Sequence, residues 1–199
     1  MEEAETKLDR YGISSGGKAK PIECLAMQKT AFIIPYRNRE SHLITWLSHL
    51  HPVLMRQQLD YQVFVVEQVD NHPFNRAAVM NAGFLETMRM DNFTCYVFHD
   101  VDMVPETDLA VYNCPPSAQE MVHMAVSVSR WKYRLTYTNY LGGIVLMSPD
   151  TFVTIGGFSN SFWGWGGEDD DLYCRVTRNN ISIVRYLDLD LSSVNFMIS

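Results

Sequence analysis

Asp100-Val101-Asp102 sets two carboxylates two residues apart. On an extended segment such residues point to the same side, so both can converge on one hard cation. The spacing suits Mg²⁺ or Mn²⁺ bridging a diphosphate, because these ions keep one or two carboxylates and take other oxygens from phosphate and water. A bare Asp-x-Asp is more often a solvated acidic turn; here it follows directly on an apolar run, 93–98 (F-T-C-Y-V-F), that reads as a strand. A second segment, 162–171 (F-W-G-W-G-G-E-D-D-D), holds three glycines, two tryptophans and four acids. Its glycines permit backbone angles that other residues resist, which predicts a mobile lid over a ligand. Tryptophan faces suit the C–H-rich side of a sugar. The acids open a helix, where the macrodipole favours ionised carboxylates, and one of them can act as a general base. An acidic cap after a glycine turn would explain the acids and leave Trp163 and Trp165 unaccounted for.

These groups need a frame, and the hydrophobic pattern supplies one. Strands are expected over 30–36, 61–67 and 93–98, with amphipathic helices over 40–58 and 75–90 between them. The alternation is β-α-β-α-β, an α/β fold, with Asp100 and Asp102 at the carboxyl end of the third strand, where open α/β sheets bind ligands. Pro35-Tyr36-Arg37-Asn38-Arg39 follows the first strand and Phe74-Asn75-Arg76 the second. Arginines there add charge to the amide donors of helix N-termini, and the rings of Tyr36 and Phe74 can stack on a base. Farther on, 122–129, 143–147 and 181–186 read as strands, and 149–155 and 168–178 as helices. Residues 1–28 are polar and glycine-bearing and read as a flexible lead-in to a domain spanning 29–199.

The chain has 199 residues with 47% hydrophobic and 20% charged content, enough for one ordinary globular core. A net charge of −7 gives no global field to attract nucleic acid or an anionic membrane, so an anionic ligand must be held by local cations or a metal. No apolar run approaches the ~20 residues of a membrane span, and the start, Met1-Glu2-Glu3-Ala4-Glu5, is unlike a signal peptide. Cys24, Cys95, Cys114 and Cys174 lack C-x-x-C spacing, which argues against zinc and leaves buried apolar packing as one reading.

The segments F-I-I-P-Y-R-N-R (32–39), H-L-H-P-V-L (49–54), F-N-R-A-A-V-M-N-A-G-F (74–84), H-D-V-D-M-V-P (99–105), Y-L-G-G (140–143) and F-W-G-W-G-G-E-D-D-D (162–171) resemble the β-1,4-galactosyltransferase family. That resemblance implies a GT-A, Rossmann-like mixed sheet flanked by helices, Mn²⁺, UDP-galactose as donor, inversion, and a type II membrane protein of the Golgi lumen. By motif, Asp102 resembles the metal ligand, with Asp100 and Val101 beside the nucleotide. Pro35, Tyr36, Arg37, Arg39, Phe74 and Arg76 resemble the UDP cradle, and Gly143 belongs to the donor-side Y-L-G-G. Asp169 resembles the catalytic base, Glu168 a donor-sugar contact, and Trp165 the lid tryptophan. Tyr140 resembles a bulky position that favours galactose over N-acetylgalactosamine, with Tyr137 lining the same pocket. Cys95 and Cys114 match a family disulfide; Cys24 matches half of another whose partner would lie upstream.

The family completes its metal site with a Met-x-x-His element. Met197 is the candidate methionine, whereas no histidine follows His123, so a fragment or shortened isoform is expected, with anchor, stem and part of the acceptor site absent. The acceptor is left open among terminal N-acetylglucosamine, glucose and xylose. Two other readings stand beside transfer: a sugar- or nucleotide-binding protein without turnover, and an Asp-x-Asp phosphohydrolase with Asp100 as nucleophile. The latter chemistry usually places its aspartates on a domain's first strand, and here two βα units precede them.

Overall fold

The computed structural model describes residues 13–185 and 194–198. Its centre is the strand β2, Lys29–Tyr36, whose T-A-F-I-I-P stretch is buried on both faces, as expected of a central strand in a parallel arrangement. It pairs in parallel with β3 (Asp60–Glu67) on one side and β4 (Cys95–His99) on the other. The crossovers are helices α1 (Glu40–Arg56) and α2 (Arg76–Met90). On α1, Trp46, Leu50 and Leu54 are spaced at helical period and fully buried against the sheet. The α2 helix starts where the Asn75 side chain accepts from the Ala78 amide at 2.9 Å, a cap that fixes Arg76 at the first helical position. The predicted β-α-β-α-β lead-in is therefore present, with boundaries moved by one to two residues.

Beyond β4 the sheet turns mixed. Strands β6 (Glu120–His123), β7 (Ile144–Met147) and β8 (Ser182–Arg185) extend it, giving the order β1-β3-β2-β4-β7-β6-β8, where β1 is Lys18–Ala19. Both β4/β7 and β6/β7 are antiparallel, and β6/β8 is parallel. The short helix α3 spans Pro149–Thr154, and α4 spans Glu168–Arg178. Strand β5 (Met103–Pro105) pairs with β9 (Phe196–Ile198) in a separate two-stranded sheet directly after the Asp-x-Asp turn.

Three expectations are corrected. The strand predicted over 122–129 stops at His123; the buried residues that follow turn back, with the Val126 amide on the Met124 carbonyl at 2.8 Å, into a 3₁₀ turn over Ser129–Trp131. Beyond His123 only an isolated bridge, Val128 to Phe196, is left of the pairing, so buried residues there imitate a strand in sequence. Part of the lead-in is fixed, because Ile13 and Ala19 are buried and β1 pairs antiparallel with β3; residues 1–12 and Tyr186 lie outside the described residues. Buried packing fails as an account of Cys24 and Cys174, which are exposed. Among the described residues no helix is long and apolar enough to cross a membrane.

Cys95 and Cys114 form a disulfide that ties β4 to the segment after β5 across 19 residues. Closing a loop of that length removes about 3 kcal/mol of chain entropy from the unfolded state. A chain carrying Cys95→Ala with Cys114→Ala should lose stability of that order in urea titration, and an unchanged midpoint would contradict it.

Candidate active site

The carboxyl ends of β2, β3 and β4 open on one side of the sheet, and Arg39, Asn75 and Asp100 follow them in the three loops. There a cleft of about 570 Å³ is lined by Pro35, Arg37, Arg39, Phe74 and Arg76 from the first two loops and Asp100, Val101 and Asp102 from the third. Tyr137, Tyr140, Gly142 and Gly143 form another wall, and Gly164 to Asp170 a third. A cleft of this size suits one drug-sized or nucleotide-sized ligand. Tyr36 and Met197 are not among the lining residues; Ile198, next to Met197 on β9, is.

Arg76 organises the floor. Its Nε donates to Asp100 Oδ1 at 2.6 Å, while Nη1 lies 3.5 Å from Glu168 Oε1 and Nη2 3.5 Å from the Gly143 carbonyl. One guanidinium thus joins the second loop, the Asp-x-Asp turn, the Y-L-G-G segment and the first turn of α4. Burial opposes the charge on Arg76, but Asp100 and Glu168 more than offset it and raise its pKa. For Asp100, burial is the largest influence and lifts its carboxyl to about 6 against the opposing pull of Arg76, with Asp102 and Glu168 adding repulsion. Crowded carboxylates around one arginine make a site that gains from a further cation.

The donor set fits such a cation. Asp102 borders the cleft beside Asp100, and among the described residues no group of three or more His, Cys, Asp or Glu is placed to hold a metal ion by itself. One or two carboxylates, with the remaining oxygens from a bound diphosphate, is how Mg²⁺ and Mn²⁺ are commonly held.

The glycines of the run hold left-handed backbone angles. Gly164, Gly166 and Gly167 have φ of 87°, 95° and 92°, values that side-chain-bearing residues rarely adopt. Gly167 caps α4, and at the cap a Cβ would lie 2.7 Å from the Phe162 ring. The Gly164 amide donates to the Phe74 carbonyl at 2.8 Å, fastening the run to the second loop. Trp165 is 99% exposed at the rim, whereas Trp163 leans on His72. In the first turn of α4, Asp169 is half-buried, and burial followed by repulsion from Glu168 and Asp170 raises its pKa above the usual carboxylate value. Asp170 accepts from the Tyr137 hydroxyl at 2.9 Å. A carboxylate at the cleft mouth whose pKa is raised is a stronger proton acceptor than a free one and is suited to take a proton from a ligand hydroxyl.

Sequence reasoning missed Arg130, Trp131 and Thr136, which also line the cleft. They lie where a strand was expected to end, and left-handed Lys132 (φ 54°) and Tyr133 (φ 58°) fold the chain back there. The adjacent Arg130-Trp131 pair in a non-periodic stretch was the available signal.

Fold and cleft define the class, a GT-A glycosyltransferase. A Drosophila β1,4-galactosyltransferase 7 catalytic domain, solved in complex with xylobiose, superposes with a TM-score of 0.71 at 33% identity, covering 80% of this chain and 65% of that one. Another structure of that enzyme, a D211N mutant with manganese, UDP-Gal and xylobiose, gives 0.70 at 32% identity, covering 80% and 65%. Residues 1–115 match the N-terminal region of glycosyl transferase group 7 and residues 122–197 the N-terminal domain of galactosyltransferase, so the chain belongs to the β-1,4-galactosyltransferase family. It is 47% identical over 185 residues to β-1,4-galactosyltransferase 4 of Mus musculus, covering 93% of this chain and 52% of that protein. It is 43% identical over 173 residues to human β-1,4-galactosyltransferase 1, covering 87% and 43%. The chain thus spans about half the length of the relatives it matches.

Proposed function

We propose that this chain is the donor-binding and catalytic part of an enzyme that transfers galactose from UDP-galactose, with inversion and in β-1,4 linkage, to a sugar acceptor. The observation that carries the reading is the joining of three motifs by Arg76, which sets the Asp-x-Asp turn, the Y-L-G-G segment and the acidic start of α4 around one cleft. The acceptor is a terminal N-acetylglucosamine, glucose or xylose of a glycoconjugate, and the compartment is the Golgi lumen. The family resemblance supports both.

In this reading Arg37, Arg39 and Arg76 hold the diphosphate and Phe74 flanks the base, where Arg37 already lies 5.2 Å from the Phe74 ring, while Tyr36, outside the cleft lining, takes no contact with the nucleotide. Asp102 is the protein's metal ligand, with β9 bringing Met197 alongside the residues that follow it. A bound Mn²⁺ supplies neutralisation of the diphosphate leaving group. Glu168 orients the donor sugar, and Asp169 accepts the proton of the acceptor hydroxyl as the new glycosidic bond forms and the bond to UDP breaks. Trp165, unpartnered at the rim, closes on the bound donor. The phosphohydrolase reading fares worse, because Asp100, its required nucleophile, is committed through Oδ1 to Arg76.

Tyr140 restricts the space beside the donor sugar. It is buried to 9% exposure between Trp131, Tyr137 and His123. Transfer from UDP-galactose should exceed transfer from UDP-N-acetylgalactosamine at least ~10-fold, a discrimination within reach of a steric pocket difference. Parallel assays with both donors test this. Equal rates would remove the donor assignment, and transfer from neither would remove the activity.

A further inference from the structure

We propose that Arg185 and His123 form a carbonyl clamp that positions Tyr140 and the Gly142-Gly143 turn at the cleft, acting as positioning residues for donor binding; the functional half of this rests on the UDP-galactose reading. The two are register partners at the carboxyl ends of β6 and β8. Arg185 Nη2 donates to the carbonyls of Thr138 at 2.9 Å and Tyr140 at 3.1 Å, and its Nε donates to His123 Nδ1 at 3.3 Å. Since Nδ1 receives that N–H, the imidazole proton sits on Nε2, which donates to the Gly142 carbonyl at 3.0 Å. Burial keeps His123 neutral, with its pKa pushed down to about 3.

Alternate carbonyls of residues 138, 140 and 142 are thus held by two side chains in a stretch outside any strand. The clamp also fixes a ring. Tyr140 packs edge-on against His123 at 5.4 Å and folds over Gly142, where a Cβ would lie 2.6 Å from its ring. The turn is then transmitted to the cleft floor, because the next residue's carbonyl, that of Gly143, accepts from the Asp100 amide at 3.0 Å and faces Arg76. Gly143 has no slack: at φ 82° a Cβ would lie 2.6 Å from Ala125 and 2.8 Å from the Met103 sulfur. Neither His123 nor Arg185 lines the cleft, so their effect on a ligand must pass through this segment.

The test uses Arg185→Met, Arg185→Lys and His123→Gln in the 199-residue chain. Amide hydrogen exchange over 134–143 should quicken ~10-fold or more in Arg185→Met while β2 and β4 stay protected. The UDP-galactose KM should rise ~10-fold or more with kcat within about 3-fold, as for lost ground-state and transition-state binding alike. Arg185→Lys, which keeps the charge but loses the fork, should fall between wild type and Arg185→Met. His123→Gln can donate to Gly142 and accept from Arg185, so its donor KM should stay within about 3-fold of wild type. Wild-type exchange in the arginine variants, or a fall in kcat with KM unchanged, overturns the proposal. Should Arg185→Met not fold, the lysine and glutamine variants decide it. If the wild-type chain does not use UDP-galactose, the transferase reading fails while the exchange measurement still judges the clamp.

Discussion

Replacing Asp169 with asparagine should lower kcat by about 10²- to 10⁴-fold, the usual contribution of a placed general base, and leave the UDP-galactose KM within a few-fold. The substitution is nearly isosteric and removes only the proton-accepting group. The pH profile gives a second reading of the same residue. Asp169 must be ionised to act, and burial with repulsion from Glu168 and Asp170 raises its pKa. The acid limb of kcat/KM should therefore lie above the ordinary carboxylate value of 3.8 and vanish in the variant's residual rate. The same shift fixes the sign of the stability effect. A carboxyl whose folded pKa is raised favours folding at low pH and loses that contribution as pH rises through its folded pKa, so at neutral pH the ionised group opposes folding. Asp169→Asn should be at least as stable as wild type at pH 7. A large loss of activity accompanied by unfolding would contradict the assignment, as would wild-type kcat.

Arg76→Met should abolish measurable UDP binding and also destabilise the fold. Arg76, Asp100 and Glu168 have side-chain exposures of 14%, 25% and 13%, so removing the cation strands two poorly hydrated carboxylates. Breaking a buried pair typically costs 3–5 kcal/mol, and the partial exposure here places the expected loss near the lower end, about 3 kcal/mol. Urea titration reads the stability change. A small excess of divalent cation should restore part of it by taking over the orphaned carboxylates. An Arg76→Met chain as stable as wild type, or one that binds UDP as well, would show that the cluster does not organise the floor.

Much of this site was legible because its chemistry is local. The Asp100 and Asp102 pair and the apolar strand before it are adjacent in sequence, and strand-end placement follows from alternation alone. The glycine run announced its backbone, since only glycine readily holds the left-handed angles found at Gly164, Gly166 and Gly167. What joins the motifs was not legible: Arg76 meets Asp100 across 24 residues and Glu168 across 92. Arg130, Trp131 and Thr136 escaped notice because the left-handed turn at Lys132 and Tyr133 carries no glycine signal. His123, set among Met121, Val122, Met124 and Ala125, reads as a core residue, and its polar work depends on Arg185, 62 residues away. The edge strand at Lys18–Ala19 was hidden in a stretch whose composition resembles a linker.

The central claim, that the cleft binds a nucleotide sugar with a divalent cation, is tested most directly by calorimetry of UDP-galactose against the chain with and without Mn²⁺. Saturable binding that weakens at least ~10-fold when the metal is removed is the predicted result, by the scale on which lost metal-site interactions act. Absence of binding in both conditions, or binding indifferent to Mn²⁺, would contradict it.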